Sequence, residues 1–166
     1  MIELLNDAAA LERVKASNIT ALTECATLTT FYVDGLAFEQ LEANRRITHI
    51  AADTAFTACS NEHQLFTAAF ISSIFAGYMI ATLHGPGDRE LDWMMVDPLF
   101  HGHGVADCLM QTGIDWLGPD RSMWLNVIRH NERAIRFYRR YGFEVDYEAR
   151  TDHIVPHFIM RRTAVA

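Results

Sequence analysis

The sequence is poor in the residues that mark extracellular, fibrous or multidomain chains. It has only three cysteines, Cys25, Cys59 and Cys108, far apart and without a Cys-x-x-Cys pair. An odd, scattered set excludes a disulfide framework and reads as reduced, mostly buried thiols; no local signature marks a catalytic cysteine. Four prolines and nine glycines in 166 residues form no linker, repeat or low-complexity tract. We therefore expect one domain spanning residues 1–166, long enough to bury a core without metal or disulfide support. The N-terminus has neither the basic segment nor the long apolar run of a secretory leader, so a cytoplasmic protein is expected. The glycosylation sequon Asn18-Ile19-Thr20 has no meaning in that compartment. Positive charge is also scarce: 14 Lys and Arg stand against 21 Asp and Glu, for a net charge of −7. Phosphate backbones need a basic surface, so nucleic acid is a poor partner. A cationic substrate would suit this balance, and so would a plain solvated acidic surface.

One stretch does lack charge altogether. Residues 65–83 are long enough for a membrane span. However, Ser72-Ser73 interrupts them, Gly77 follows, and Phe, Ile, Thr and Tyr favour strands. No Lys/Arg cluster flanks either end to set an orientation. The stretch reads as two buried strands joined by a tight turn at Ser72-Ser73, with no membrane partner.

Residues 7 to about 60 read as mainly helical, with Gly35 as a breaker. Strands are expected at about 65–71, 74–83 and 89–96, the last two joined by Gly85-Pro86-Gly87-Asp88. A helix is expected over 104–117, with Val105, Leu109, Thr112 and Trp116 as its apolar stripe and Gly118-Pro119 as its stop. Residues 123–128 read as a strand buried on both faces. Asn131 is a good N-cap for a second helix carrying Ala134, Phe137, Tyr138 and Tyr141 at helical spacing, ended by Gly142. Two strands, about 143–150 and 154–162, complete the chain, and Pro156 predicts a bulge or an edge position for the last. This order gives an α/β fold, a mixed sheet with helices on both faces.

The most chemically informative segment runs from Val96 to Ala106. A strand ends, a glycine-containing loop follows and a helix opens, so unpaired backbone N–H groups and the positive helix end meet at one spot. Such a corner binds phosphate or diphosphate. It is neither a Walker A loop nor a Gly-x-Gly-x-x-Gly fingerprint. His101 and His103 could supply two metal ligands at most, and no HExxH or Cys/His cluster completes a site, so no metal is expected.

With its neighbours, this segment resembles the cofactor motif of the GNAT acetyltransferases: Met94-Met95-Val96-Asp97-Pro98, then His101-x-x-Gly104-x-Ala106. A second family motif follows about 25 residues on, matched by Asn131, Ala134, Phe137, Tyr138, Gly142 and Phe143. The resemblance covers residues 65–162. It implies a GNAT-type splayed sheet of six to seven strands, with acetyl-CoA inserted between the fourth and fifth. Met94, Met95 and Val96 would offer backbone groups to the pantetheine arm and thioester. Gly102, His103, Gly104, Val105, Ala106 and Asp107 would wrap the diphosphate with main-chain amides. His101 stands where the family has Gln or Arg. Asn131 would contact the cofactor, and Tyr138 would lie near the thioester sulfur.

An alkylamine, with a pKa near about 10, is mostly protonated at neutral pH, so a base must act before its nitrogen attacks the thioester. The resemblance implies Tyr138 as the acid for the departing thiolate and the Met95–Val96 backbone as oxyanion donor. On spacing alone Tyr138 could equally be a core aromatic. Glu90 sits where many family members carry a strand-four Glu, six residues before Val96, and would be the base. The two-residue period places Glu90, Asp92, Met94 and Val96 on one strand face. An exposed strand-end charge is the other reading of Glu90. Some amino-terminal acetylases use a fifth-strand Glu, and this chain has Asn126 there. An N-acetyltransferase acting on an amine is the leading expectation, and a non-catalytic acyl-CoA-binding or regulatory module of the same fold is the other. The acceptor would be selected by the N-terminal helices and loops near Phe31, Tyr32 and Phe38. Family members are often homodimers.

Overall fold

The computed structural model describes residues 1–30 and 37–165, except for the side chains of 29 and 30. The elements run β1 (Ile2–Asn6), α1 (Asp7–Leu11), α2 (Ala16–Thr30), α3 (Phe38–Ala58), β2 (Gln64–Ile71), β3 (Ile74–Gly85) and β4 (Asp88–Val96). A 3₁₀ turn (Pro98–Phe100) leads to α4 (Val105–Leu117), β5 (Met123–Ile128), α5 (Glu132–Arg139), β6 (Phe143–Asp146) and β7 (His157–Arg162). The seven strands form one sheet in the order β1-β2-β3-β4-β5-β7-β6. Every neighbouring pair is antiparallel except β4–β5.

The uncharged run folds as the β2–β3 hairpin. Ile71 pairs with Ile74, and the intervening Ser72 and Ser73 sit at φ 49° and 65°. Two left-handed residues give the turn a twist that matches the strands, at a steric cost that serine, unlike glycine, must bear. No helix among the described residues is long and apolar enough to cross a membrane.

Alternation divides the core into two layers. Met79, Ala81 and Leu91 face α4 and pack with Val105, Leu109 and Ile114. Tyr78, Ile80 and Met95 face the other way, against Ile19, Leu22, Ala52 and Ala55 of α2 and α3. Gly113 lets α4 lie close, because a Cβ there would stand 2.7 Å from Leu91 Cδ2. On the opposite face, the Tyr78 hydroxyl and Thr23 Oγ1, 2.5 Å apart, tie β3 to α2 inside the core.

Several expectations are corrected. Strand β1 precedes the helical segment and had no counterpart in the sequence reading. The buried stripe of α4 is Val105, Leu109, Met110, Gly113, Ile114 and Leu117, while Thr112 and Trp116 are half-buried at its flank. On β5, Met123, Leu125 and Val127 are buried but Trp124 and Asn126 are only half-buried, so the strand is not buried on both faces. The last two strands are shorter than expected. Pro156 lies just before β7, which is an interior strand between β5 and β6, so the proline marks neither a bulge nor an edge. Gly35, Phe31 and Tyr32 lie outside the described residues.

Candidate active site at the β4–β5 splay

The site originates in a bulge. Trp93 pairs with Ile80 and Leu91 with Ala81, so Asp92 is an extra residue with no partner on β3. A bulge bends its strand and breaks the two-residue alternation. Glu90 therefore shares a face with Trp93 and Met95, while Met94 and Val96 point to the α4 side. This corrects the expectation that Glu90, Asp92, Met94 and Val96 would share one face. The bend also ends the pairing with β5, which is confined to Glu90–Trp124 and Leu91–Leu125. Beyond Leu91 the β4 backbone on that side faces a cleft instead of a strand.

Three cavities open along this cleft and share walls. The outermost, about 460 Å³, is lined by Gly102, Gly104, Ala106, Arg133, Arg136 and Arg140 among others. Gly102 and Gly104 sit at φ 81° and 82°, which folds the loop back so that Gly104 caps α4. The first backbone N–H of α4 with an internal partner is that of Cys108, which donates to Gly104 O. The amides of Gly102, Gly104, Val105, Ala106 and Asp107 have no acceptor among the described residues. His103 is the exception, since its N–H donates to Phe100 O. Free amides at a helix N-terminus, faced by three guanidinium groups, make this corner a receptor suited to anions.

Two contacts brace this receptor. Arg133 Nη1 lies 2.7 Å from His101 Nδ1. Burial, then the Arg133 charge, pushes the His101 pKa down, so a neutral ring accepts from Arg133 and aims it. Asp107 accepts from the Tyr141 hydroxyl at 2.5 Å and from Arg140 at 3.3 Å, joining α4 to α5. The sequence signal for these arginines is their spacing, since 133, 136 and 140 fall at i, i+3 and i+7 along α5 and its C-cap.

The middle cavity, about 130 Å³, runs into the splay between Met94, Met95 and Val96 on one wall and Asn131, Ala134 and Tyr138 on the other. Asn131 is buried, and its Oδ1 caps α5 by accepting from Ala134 N at 3.1 Å. Tyr138 packs edge-on against Phe137 and Phe143, and its hydroxyl makes no hydrogen bond among the described residues. Burial raises its pKa to about 12, so it holds its proton at neutral pH.

The inner cavity, about 430 Å³, is walled by Asn44 and Ile47 of α3, Trp93 and Met95 of β4, and the 153–157 loop, with Asp92 and Asn126 on its sheet side. Phe38 opens α3 and is exposed, so it is no part of this wall. Glu90 lies behind the wall and is only 6% exposed, not an exposed strand-end charge. Its Oε2 is 2.6 Å from His84 Nε2, and Asn126 Nδ2 approaches its Oε1 at 3.5 Å. Burial above all, then the Asp92 charge, raises the Glu90 pKa to about 7, against the opposing pull of His84. The bond to Glu90 in turn raises the pKa of His84, whose ring stacks on Trp124. No group of three or more metal-ligating side chains occurs among the described residues.

Residues 23–143 match the model of the acetyltransferase (GNAT) family. An uncharacterized N-acetyltransferase of Mycobacterium tuberculosis is 38% identical over 74 residues, 42% of this chain and 46% of that protein. A mycothiol acetyltransferase of Acidimicrobium ferrooxidans is 32% identical over 80 residues, 43% of this chain and 25% of that protein. The chain thus spans less than half the length of these curated relatives. The crystal structure of PaiA N-acetyltransferase from Thermoplasma acidophilum in complex with coenzyme A superposes with a TM-score of 0.73 at 19% identity. That match covers 98% of this chain and 99% of the other, and it establishes a shared fold.

Proposed function

The chain belongs to the acetyltransferase (GNAT) family, and from that premise we propose that it transfers an acetyl group from acetyl-CoA to a primary amine within a ternary complex. The observation that carries this reading is the row of unbonded amides at Gly102, Gly104, Val105, Ala106 and Asp107, faced by Arg133, Arg136 and Arg140. A buried or half-buried N–H without an acceptor is costly, and a diphosphate satisfies several at once. The small Gly104 and Ala106 leave room for that approach. The middle cavity then takes the pantetheine arm against the open edge of β4, and the inner cavity takes the amine.

Bound acetyl-CoA supplies an activated acyl group as a thioester. The residues of the chain handle the protons. An ammonium arriving in the inner cavity gives up a proton toward the Asp92–Glu90 pair, in which Glu90, with a pKa near 7, is matched to neutral pH. The freed nitrogen lone pair forms the new bond to the acyl carbon. The Val96 N–H, on the edge of β4 turned away from β3, donates to the carbonyl oxygen in this reading. As the carbon–sulfur bond breaks, the Tyr138 hydroxyl donates its proton to the departing thiolate and regains one from the acylated nitrogen, which sheds its second proton to become the amide.

The test has two readouts. Acetyl-CoA should raise the melting temperature, as any ligand confined to the native state must. A panel of amines should then release free CoA. A melting shift without amine-dependent CoA release would instead favour a non-catalytic acyl-CoA-binding module, and no shift well above micromolar acetyl-CoA would end both readings.

A further inference from the structure

Asp92 presents an unpaired carboxylate to the inner cavity, with Asn126 beside it. Asp92, thrust out by the bulge, is half-buried and makes no hydrogen bond or ion pair among the described residues. Asn126 carries a buried Oδ1 with no hydrogen-bond partner. Both lie on the sheet side of the same cavity. Leaving a half-buried carboxylate unpaired beside apolar walls is costly unless a donor arrives. The remaining walls are mainly hydrocarbon or aromatic: Ile47, Trp93, Met95, Ile128 and Val155.

We infer that the acceptor is a compact monoamine with an apolar or aromatic body, its ammonium seated on Asp92 and its body packed against Trp93, Ile47 and Val155. This rests on the acetyl-transfer reading above and names the substrate class it left open. An ammonium suits this unpaired carboxylate, since it brings three donors and a positive charge. The indole of Trp93 can contribute to holding a cation. Burial raises the Asp92 pKa, the mark of a carboxylate that gains from a cation nearby.

The walls also say what does not fit. The cavity holds about 430 Å³, suited to a body of one ring or a short branched chain. A second amino group, as in a polyamine, meets no second carboxylate on the described walls, where Asp92 is the only acidic residue and Arg46 stands on the α3 side. A polyhydroxylated aminoglycoside would set hydroxyls against Ile47, Ile128 and Val155 without partners. Burial lowers the His157 pKa to about 4, so this ring stays neutral and does not compete for Asp92.

The experiment measures direct binding to the full chain by calorimetry, with and without CoA. The probes are 2-phenylethylamine, 3-methylbutylamine, 2-phenylethanol, spermidine and kanamycin. The two apolar amines should bind at least roughly tenfold more tightly than the alcohol, which lacks the cation, and than the two polycations. Asp92→Asn should weaken 2-phenylethylamine roughly tenfold or more while CoA binding persists, which also reports that the variant is folded. The inference is overturned if spermidine or kanamycin binds best, if the alcohol equals the amine, or if Asp92→Asn leaves amine affinity unchanged. Saturable 2-phenylethylamine binding in a protein that ignores acetyl-CoA would support the amine site and sink the transfer reading instead.

Discussion

His84 Nε2 stands 2.6 Å from Glu90 Oε2, and the two differ sharply in exposure: the carboxylate is buried and the ring reaches solvent. The pair links the back of the inner cavity to water through one hydrogen bond. Glu90 must be ionised to accept a proton, so turnover should rise with pH through about 7. The bond from His84 holds the Glu90 pKa down against burial. Replacing His84 with Phe keeps a ring on Trp124 but removes that bond, so the acidic limb of the rate profile should move to higher pH. An unmoved limb in a folded, CoA-binding variant would show that Glu90 is not the group being titrated.

The same burial gives Glu90 a cost in stability. Its pKa is 4.5 in the unfolded chain and about 7 in the fold. The native state therefore binds the proton more tightly, and stability is greatest at low pH and lost as pH rises from 4.5 through 7. Glu90→Gln removes the ionisation and keeps the shape. It should stabilise the protein at pH 8 by about 1–3 kcal/mol while giving little or no gain at pH 4, and it should abolish most turnover. Denaturant melts of both proteins at the two pH values check the sign.

Tyr138 separates packing from chemistry because Phe preserves its edge contacts with Phe137 and Phe143. Tyr138→Phe should leave CoA affinity within about threefold and slow turnover by roughly a hundredfold. If instead affinity, stability and turnover fall together, the residue is a core aromatic.

The segments legible in the sequence were those whose signals are local. Beyond residue 64, periodicity and glycine stops placed every strand and both helices to within a few residues, apart from the shortened β6 and β7. The glycine corner before α4 was legible for the same reason, since a strand end, a left-handed glycine and a helix start are adjacent in the chain. Strand β1 was not, because its five residues become a strand only by pairing Ile2 with Ile71 and Asn6 with Thr67. The bulge at Asp92 depends on how β4 registers with β3, which the β4 sequence does not reveal. It alone changed which side chains share the face of Glu90. The inner cavity is assembled from α3, β4, β5 and the 153–157 loop, so no motif marks it.

Arg133 bears on the donor side. Held by His101 at the mouth of the outer cavity, it should contribute a charge-assisted contact to a phosphate. Arg133→Ala should raise the Kd for CoA roughly tenfold and flatten its dependence on salt. His101→Gln can still accept from the guanidinium and should cost much less. Equal losses in the two variants, read by calorimetry at two ionic strengths, would mean that His101 itself meets the ligand.

The last prediction concerns the hairpin, which lies away from the cleft. Ser72 and Ser73 both adopt left-handed backbone angles between the paired Ile71 and Ile74. Serine bears a steric cost there, whereas Asn followed by Gly is the pair best suited to a two-residue turn of this twist. The double substitution Ser72→Asn, Ser73→Gly should stabilise the protein by about 1 kcal/mol, because the native geometry is kept and its strain is relieved. For a chain of this size that is a rise in Tm of a few degrees. Neither CoA affinity nor turnover should change, since neither side chain lines any of the three cavities along the cleft. A lowered Tm would mean that the serines hold the turn by contacts that Asn and Gly cannot make.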